Sequence, residues 1–99
     1  MSSPAPYGRS LQTKEDLVEL ETAIGKELRE LRTHLRLTQE SLAEAADIER
    51  NTISLIERGI SSPTARNIWK LTAVLGTTPS NFFARVEARL LKAQEKEST

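Results

Sequence analysis

Ninety-nine residues describe a single domain with a real but small core, one that a partner subunit could enlarge. The absence of cysteine excludes a disulfide framework and a thiolate metal site. No run approaches the roughly eighteen apolar residues of a membrane span, and the opening "MSSPAPYGRS" lacks the basic start and apolar core of a signal peptide, so the chain reads as cytoplasmic, with no membrane partner. A formal net charge of +0 does not favour nucleic acid, yet steering follows the local field and not the sum. Residues 1–23 carry two basic and four acidic side chains, residues 24–76 eight and seven, and residues 77–99 four and three, so any basic face must come from segregation in the fold.

Residues 1–12, with Pro4, Pro6, Gly8 and three serines, have the composition of a flexible N-terminal tail. Thr13 then opens a helix as N-cap, with the acidic Asp16 as third helical residue. Leu17, Leu20, Ile24, Leu28, Leu31 and Leu35 follow at spacings of three and four, one apolar stripe. The stripe is long for a small domain, and Gly25 lies in it. Either one extended helix runs through Gly25 or a short helix precedes the main one. A glycine costs about 1 kcal/mol in a helix interior, too little to choose between the two.

Thr38 caps a second helix, "QESLAEAA", with Leu37 and Leu42 as a hydrophobic staple and Leu42, Ala43 and Ala46 inward. Asp47 and Ile48 make a tight turn. A third helix runs from Arg50 to Arg58 with Ile53 and Ile56 inward, and Gly59 stands where a left-handed cap belongs. Ser62 caps a fourth helix with Pro63 at its first position. Its stripe is Ile68, Leu71, Val74 and Leu75, flanked by Trp69, and Gly76 ends it. Thr78 and Pro79 open a last helix, striped by Phe82, Phe83, Val86, Leu90 and Leu91. β-branched residues never alternate over four or more positions, so the expected fold is all-α with five helices, its domain spanning 13–92 and a frayed tail 93–99.

The helix 39–46, a turn of about three residues and the helix 50–58 form the unit that sets a helix in the major groove of DNA. The first helix braces and the second reads. Apolar side chains at 42, 43, 46, 48, 53 and 56 hold the two crossed, which leaves Arg50, Asn51, Thr52, Ser54 and Leu55 outward. Arginine bonds bidentately to guanine, asparagine to adenine and threonine to a base or phosphate, while leucine packs on a thymine methyl. Gln39 lies in the first turn of the bracing helix, where free N–H groups favour a phosphate; it positions more than it specifies. Arg36, Arg58, Ser62, Thr64 and Asn67 complete the candidate phosphate contacts. The bland alternative is two amphipathic helices packed in a bundle; the polar types on the outward face of the second helix argue against it.

The stretch "LRTHLRLTQESLAEAADIERNTISLIERGISSPTARNIWKLTAVLG" resembles the lambda-repressor-like family, also called the Cro/C1 or xenobiotic-response-element helix-turn-helix. The family pattern appears here as Leu31–Arg32, Thr38–Gln39 opening helix two, Leu42–Ala43 inside it, Ile53–Ser54–Leu55–Ile56–Glu57–Arg58–Gly59 closing helix three, and Pro63–Thr64 opening helix four. The resemblance covers about residues 24–83. It implies a five-helix lambda-repressor-like DNA-binding domain whose members bind operators as dimers and repress or activate transcription. It implies a structural ion pair between Arg32 and Glu57, a phosphate contact from Gln39, and base and backbone contacts from positions 50, 51, 52 and 54. Asp47 departs from the family, which usually has glycine in the turn; aspartate tolerates a left-handed conformation better than most residues. Glu49 departs from the serine or threonine N-cap; glutamate caps poorly, and its charge repels a nearby phosphate unless turned away.

Within that family the chain most resembles the controller proteins of restriction–modification systems, short all-helical dimers without a separate effector domain. Their pattern matches Ile48, Arg50, Ile53, Ser54, Ile56, Glu57 and Arg58, followed by Ser62–Pro63–Thr64, and "NFF" (Asn81 to Phe83) resembles their dimerising end. Two-fold symmetry doubles groove contacts and phosphate neutralisation, and the last helix carries adjacent phenylalanines in a chain with a small core. Phe82 is the expected core residue and Phe83, Val86 and Leu90 the expected homodimer interface; that both rings fill the monomer core stays open.

The expected function is a sequence-specific regulator that binds a palindromic double-stranded operator as a homodimer, the controller of a restriction–modification system. The alternatives are a stand-alone repressor of other genes, or an antitoxin or protein-interaction module. An enzyme finds little support. His34 is the only histidine and lies beside basic residues, which disfavours a histidine-ligated metal. There is no cysteine nucleophile, no serine in a His/Asp arrangement and no glycine-rich phosphate loop, and Glu40 and Glu44 form an i,i+4 pair expected to face solvent. No catalytic residue, metal, cofactor or small-molecule effector domain is assigned.

Overall fold

A computed structural model describes residues 13–97, which form five helices and no strand: α1 (Lys14–His34), α2 (Gln39–Ala46), α3 (Arg50–Glu57), α4 (Ala65–Leu75) and α5 (Pro79–Glu97). The expected tail at residues 1–12 lies outside the described residues. None of these helices is long and apolar enough to cross a membrane.

α1 is one unbroken helix of 21 residues, so the short-helix alternative falls. Its start is a full capping box. The Asp16 N–H donates to Thr13 Oγ1 at 3.1 Å, and the Thr13 N–H donates to Asp16 Oδ2 at 3.2 Å. Gly25 does not interrupt the helix; it lets α1 pass against the last turn of α3. A Cβ there would lie 2.4 Å from the Ile56 carbonyl oxygen and 2.7 Å from that of Glu57. Along the stripe only the middle is submerged: Ala23, Ile24 and Leu28 are buried, Leu20 and Leu31 half-buried, and Leu17 and Leu35 exposed. The helix is longer than the core it covers.

α1 to α4 all close through a left-handed residue, at Arg36, Asp47, Gly59 and Gly76. In each case the N–H of the following residue reaches back to the last turn: Leu37 to Arg32 O at 3.1 Å, Ile48 to Ala43 O at 3.0 Å, Ile60 to Leu55 O at 3.0 Å and Thr77 to Thr72 O at 3.0 Å. Glycine is cheap at this position, aspartate is tolerated there better than most residues, and arginine is costly. The expected cap of α4 needs correction. Thr64, not Ser62, is its N-cap, accepting from the Asn67 N–H at 3.0 Å, and Pro63 lies before the helix. Both hydroxyl residues suit a cap by type, and only the later one hands its oxygen to a backbone N–H. Thr78 caps α5, accepting from the Asn81 N–H at 3.1 Å. α5 continues through the expected tail to Glu97. Ala93, Gln94, Glu95 and Lys96 are strong helix formers, which outweighs their polarity.

The core gathers Leu28, Leu42, Ile53, Ile56, Ile68, Leu71, Leu75, Phe82, Val86 and Leu90. Phe82 is fully buried, whereas Phe83 stays 40% exposed with its ring edge-on to Phe82 at 5.5 Å. Val86 and Leu90, expected at a subunit interface, are 2% and 5% exposed in the single chain. They follow Phe82 at four and eight residues and share its inward face, which leaves Phe83 as the member of that trio open to a partner.

A buried acid missed by the sequence reading binds α1 to α5. Glu27 is 1% exposed and accepts from the Nε of both Arg85 and Arg89, the latter at 3.0 Å, while Arg89 also donates to Glu30. The signal was present: Glu27 stands four residues after Ala23 and four before Leu31, inside the apolar stripe. Arg85 and Arg89 are an i,i+4 pair flanking Val86 and Leu90.

Candidate nucleic-acid interface

The reading unit is built by α2, the turn 47–49 and α3. Leu42, Ala43 and Ala46 bury one side of α2, and Ile53 and Ile56 bury one side of α3. The turn between them depends on Asp47, held at φ 55° and ψ 53°. Its carbonyl accepts from Lys70 Nζ of α4 at 3.2 Å, so α4 pins the corner from behind.

The far end of α3 is fixed by charge. Arg32 Nε donates to Glu57 Oε2 at 2.6 Å and Arg32 Nη2 to Glu57 Oε1 at 2.9 Å, a bidentate pair. The third donor, Nη1, reaches the Leu37 carbonyl at 2.7 Å. Both partners are largely withdrawn from water, with side chains 11% and 3% exposed. The hydrogen bond to Glu57 raises the Arg32 guanidinium above its ordinary value, against an opposing effect of burial. Gln39 Nε2 donates to Glu57 Oε1 at 3.1 Å, so one amide N–H of this expected phosphate contact is committed inside the protein. α1, the start of α2 and the end of α3 thus meet on one carboxylate.

The expected reading residues occupy the rest of α3, from the flanks of its buried face, where Arg50 and Thr52 lie, round to the far side. Arg50 and Asn51 are exposed, and Thr52, Ser54 and Leu55 are half-buried. Arg36 and Arg58 are exposed beyond the ends of α1 and α3, and Ser62 and Thr64 are exposed ahead of α4, with Asn67 half-buried in its first turn. Arg36 at φ 60° holds a left-handed conformation that sequence reasoning did not foresee. The Thr64 hydroxyl oxygen serves as a cap, which fixes its orientation. Among the described residues no group of three or more His, Cys, Asp or Glu side chains converges as a metal site.

The profile of the helix-turn-helix family HTH_3 matches residues 28–82, from the last third of α1 to the first turn of α5. The chain belongs to the HTH_3 family. That membership puts it among DNA-binding helix-turn-helix transcription regulators. This HTH_3 chain is 42% identical over 57 residues to the HTH-type transcriptional regulator DicA of Escherichia coli K12, a match that takes 58% of the chain and only 42% of DicA. It is 34% identical over 70 residues to the control protein C.MunI of a Mycoplasma species, covering 70% of the chain and 95% of C.MunI. Among solved structures it superposes on the restriction-modification controller protein C.AhdI from Aeromonas hydrophila with a TM-score of 0.60 and 38% identity, over 70% of the chain and 98% of C.AhdI. The segments outside the matched HTH_3 region, the first two thirds of α1 and most of α5, are the ones that Glu27, Arg85 and Arg89 tie together.

Proposed function

We propose that the chain is a sequence-specific reader of double-stranded DNA that binds a palindromic operator as a homodimer and acts as the controller of a restriction–modification system. The observation that carries the reading is the seat of α3. Ile53, Ile56 and Glu57 anchor it, and they leave Arg50 and Asn51 exposed with Thr52, Ser54 and Leu55 half-buried beside them. Donor, acceptor and apolar types in one short row suit base edges, and Gln39, Arg36, Arg58, Ser62, Thr64 and Asn67 surround them as phosphate contacts. The controller role rests on likeness to C.MunI and C.AhdI over nearly their whole lengths. Likeness to DicA supports the second reading, a stand-alone repressor.

The test selects duplexes from a random pool with the intact chain and measures affinity for the winner. The double change Arg50→Ala, Asn51→Ala lowers that affinity about a hundredfold while helicity and molecular mass stay normal. Unchanged affinity overturns the reading of α3. Selected sites mapping ahead of a methyltransferase or endonuclease gene support the controller role; sites ahead of unrelated genes support the stand-alone repressor.

A further inference from the structure

We infer that Glu49 is a base-reading residue whose carboxylate selects cytosine beside the contact made by Arg50. The inference rests on the DNA-reading role proposed for α3 and adds to it a specificity determinant of its own. Glu49 is the N-cap of α3, with extended backbone at φ −65° and ψ 138°. At this position a side-chain oxygen ordinarily accepts from the backbone N–H two or three residues on. The Glu49 carboxylate makes no such bond. Its backbone carbonyl does the local work, accepting from the Thr52 N–H at 3.0 Å and the Ile53 N–H at 3.3 Å. The side chain is exposed, and among the described residues it enters no hydrogen bond or ion pair, although Arg50 follows it directly. It borders an open hollow of about 350 Å³ with Ala43, Glu44, Asp47 and Ile48, yet these acids do not gather as a metal site. Capping, ion pairing and metal binding, the usual employments of a carboxylate, are all unfilled.

A bare carboxylate at the leading edge of a reading helix has few partners on DNA. Phosphate repels it. Guanine O6 and N7 and thymine O4 are acceptors and offer it nothing. The donors in the major groove are the exocyclic amines of cytosine and adenine. Adenine sets the acceptor N7 beside its amine, which opposes a second carboxylate oxygen, whereas cytosine presents N4 alone. The guanidinium of Arg50 is the converse, donor only, and suits guanine O6 and N7. An acceptor-only and a donor-only side chain, adjacent in the chain and both unengaged, match the two members of a G·C pair. The leading edge of α3 therefore selects G·C pairs, and the charge that disfavours DNA in general becomes discrimination against wrong sequences.

Selection from a random duplex pool is run in parallel with the intact chain, Glu49→Ala and Glu49→Gln, each checked for normal helicity and thermal unfolding. The intact chain is expected to prefer cytosine by about five- to tenfold at one position of each half-site. Glu49→Ala loses that preference while keeping the rest of the motif, and binds arbitrary duplexes more tightly because a repulsive charge is gone. Glu49→Gln shifts the position toward adenine, whose N6 and N7 fit an amide. A motif unchanged at every position in both variants overturns the inference, even if affinity rises, because Glu49 is then only a repulsive charge. Selection of no motif by the intact chain overturns the DNA-reading role and this inference together, so the two failures are distinct.

Discussion

Single atoms decide several positions that look ordinary by type. Gly25 is the sharpest case. By propensity a glycine weakens a helix, and alanine there would stabilise α1 by about 1 kcal/mol. By contact, a Cβ would stand 2.4 Å from the Ile56 carbonyl oxygen, a backbone atom that cannot move alone. Contact outweighs propensity because α1 must be pushed off α3. Gly25→Ala is expected to lower the urea midpoint despite its better helix former, by about 1–3 kcal/mol of stability. An unchanged or raised midpoint would show that α1 is not held this close. Glu57 is the other decisive residue, since one carboxylate receives both Arg32 and Gln39. A buried pair of this kind is costly to break from one side, because the surviving charge is left without a partner.

At the scale of the element, helix ends set the geometry of the reading unit more than helix interiors do. The four left-handed closures turn the chain sharply four times within about forty residues, and two of them use a residue with a Cβ. A non-glycine residue in that conformation costs about 1–2 kcal/mol. Arg36 holds that conformation with its side chain exposed just ahead of α2, where a phosphate contact is proposed. Arg36→Gly is expected to raise thermal stability, by about 1 kcal/mol, while it weakens duplex binding and lowers the salt slope by about one. Calorimetric unfolding and salt titration of affinity check the two arms. If glycine left both affinity and slope unchanged, Arg36 would not be a phosphate contact. Glycine at 59 and 76 announced its turns in the sequence; Arg36 carried no such mark, because nothing in its type favours φ near 60°.

At the scale of the molecule, the described residues form an elongated body, 44 by 22 by 22 Å. α1 and α5 run antiparallel: Glu27 and Glu30 meet Arg85 and Arg89, while Glu19 and Ala23 share a hollow with Leu90 and Ala93. With Val86 and Leu90 committed to the core, the proposed homodimer leans on the exposed Phe83. Phe83→Glu is expected to give a monomer by sedimentation with little change in thermal unfolding, and to weaken operator binding about a hundredfold by loss of the second half-site contact. A variant that stays dimeric would move the interface elsewhere, and Trp69, exposed at 64%, is the next apolar side chain to examine. Neutral net charge fits this picture, because affinity then depends on doubled, fitted contacts and less on bulk attraction.

The five helices, most of their caps and the location of the reading unit follow from the sequence by itself. Apolar spacing, hydroxyl caps and glycine stops are local properties, and each acts within one or two turns of its own residue. The outward types on α3 follow in the same way, since burying Ile53 and Ile56 leaves Arg50, Asn51 and Ser54 no inward place. Tertiary structure alone decided what depends on residues far apart in the chain. Gly25 changed from a suspected break to a point of contact because α3, some thirty residues on, passes over it. Val86 and Leu90 went to the core of the single chain because α1 covers that face of α5. Glu27 became a buried anchor because Arg85 and Arg89 come back to it across the fold. Periodicity tells which side chains turn inward along a helix, but the partner they meet, and whether it is the same chain or a second copy, is fixed only by how the helices pack.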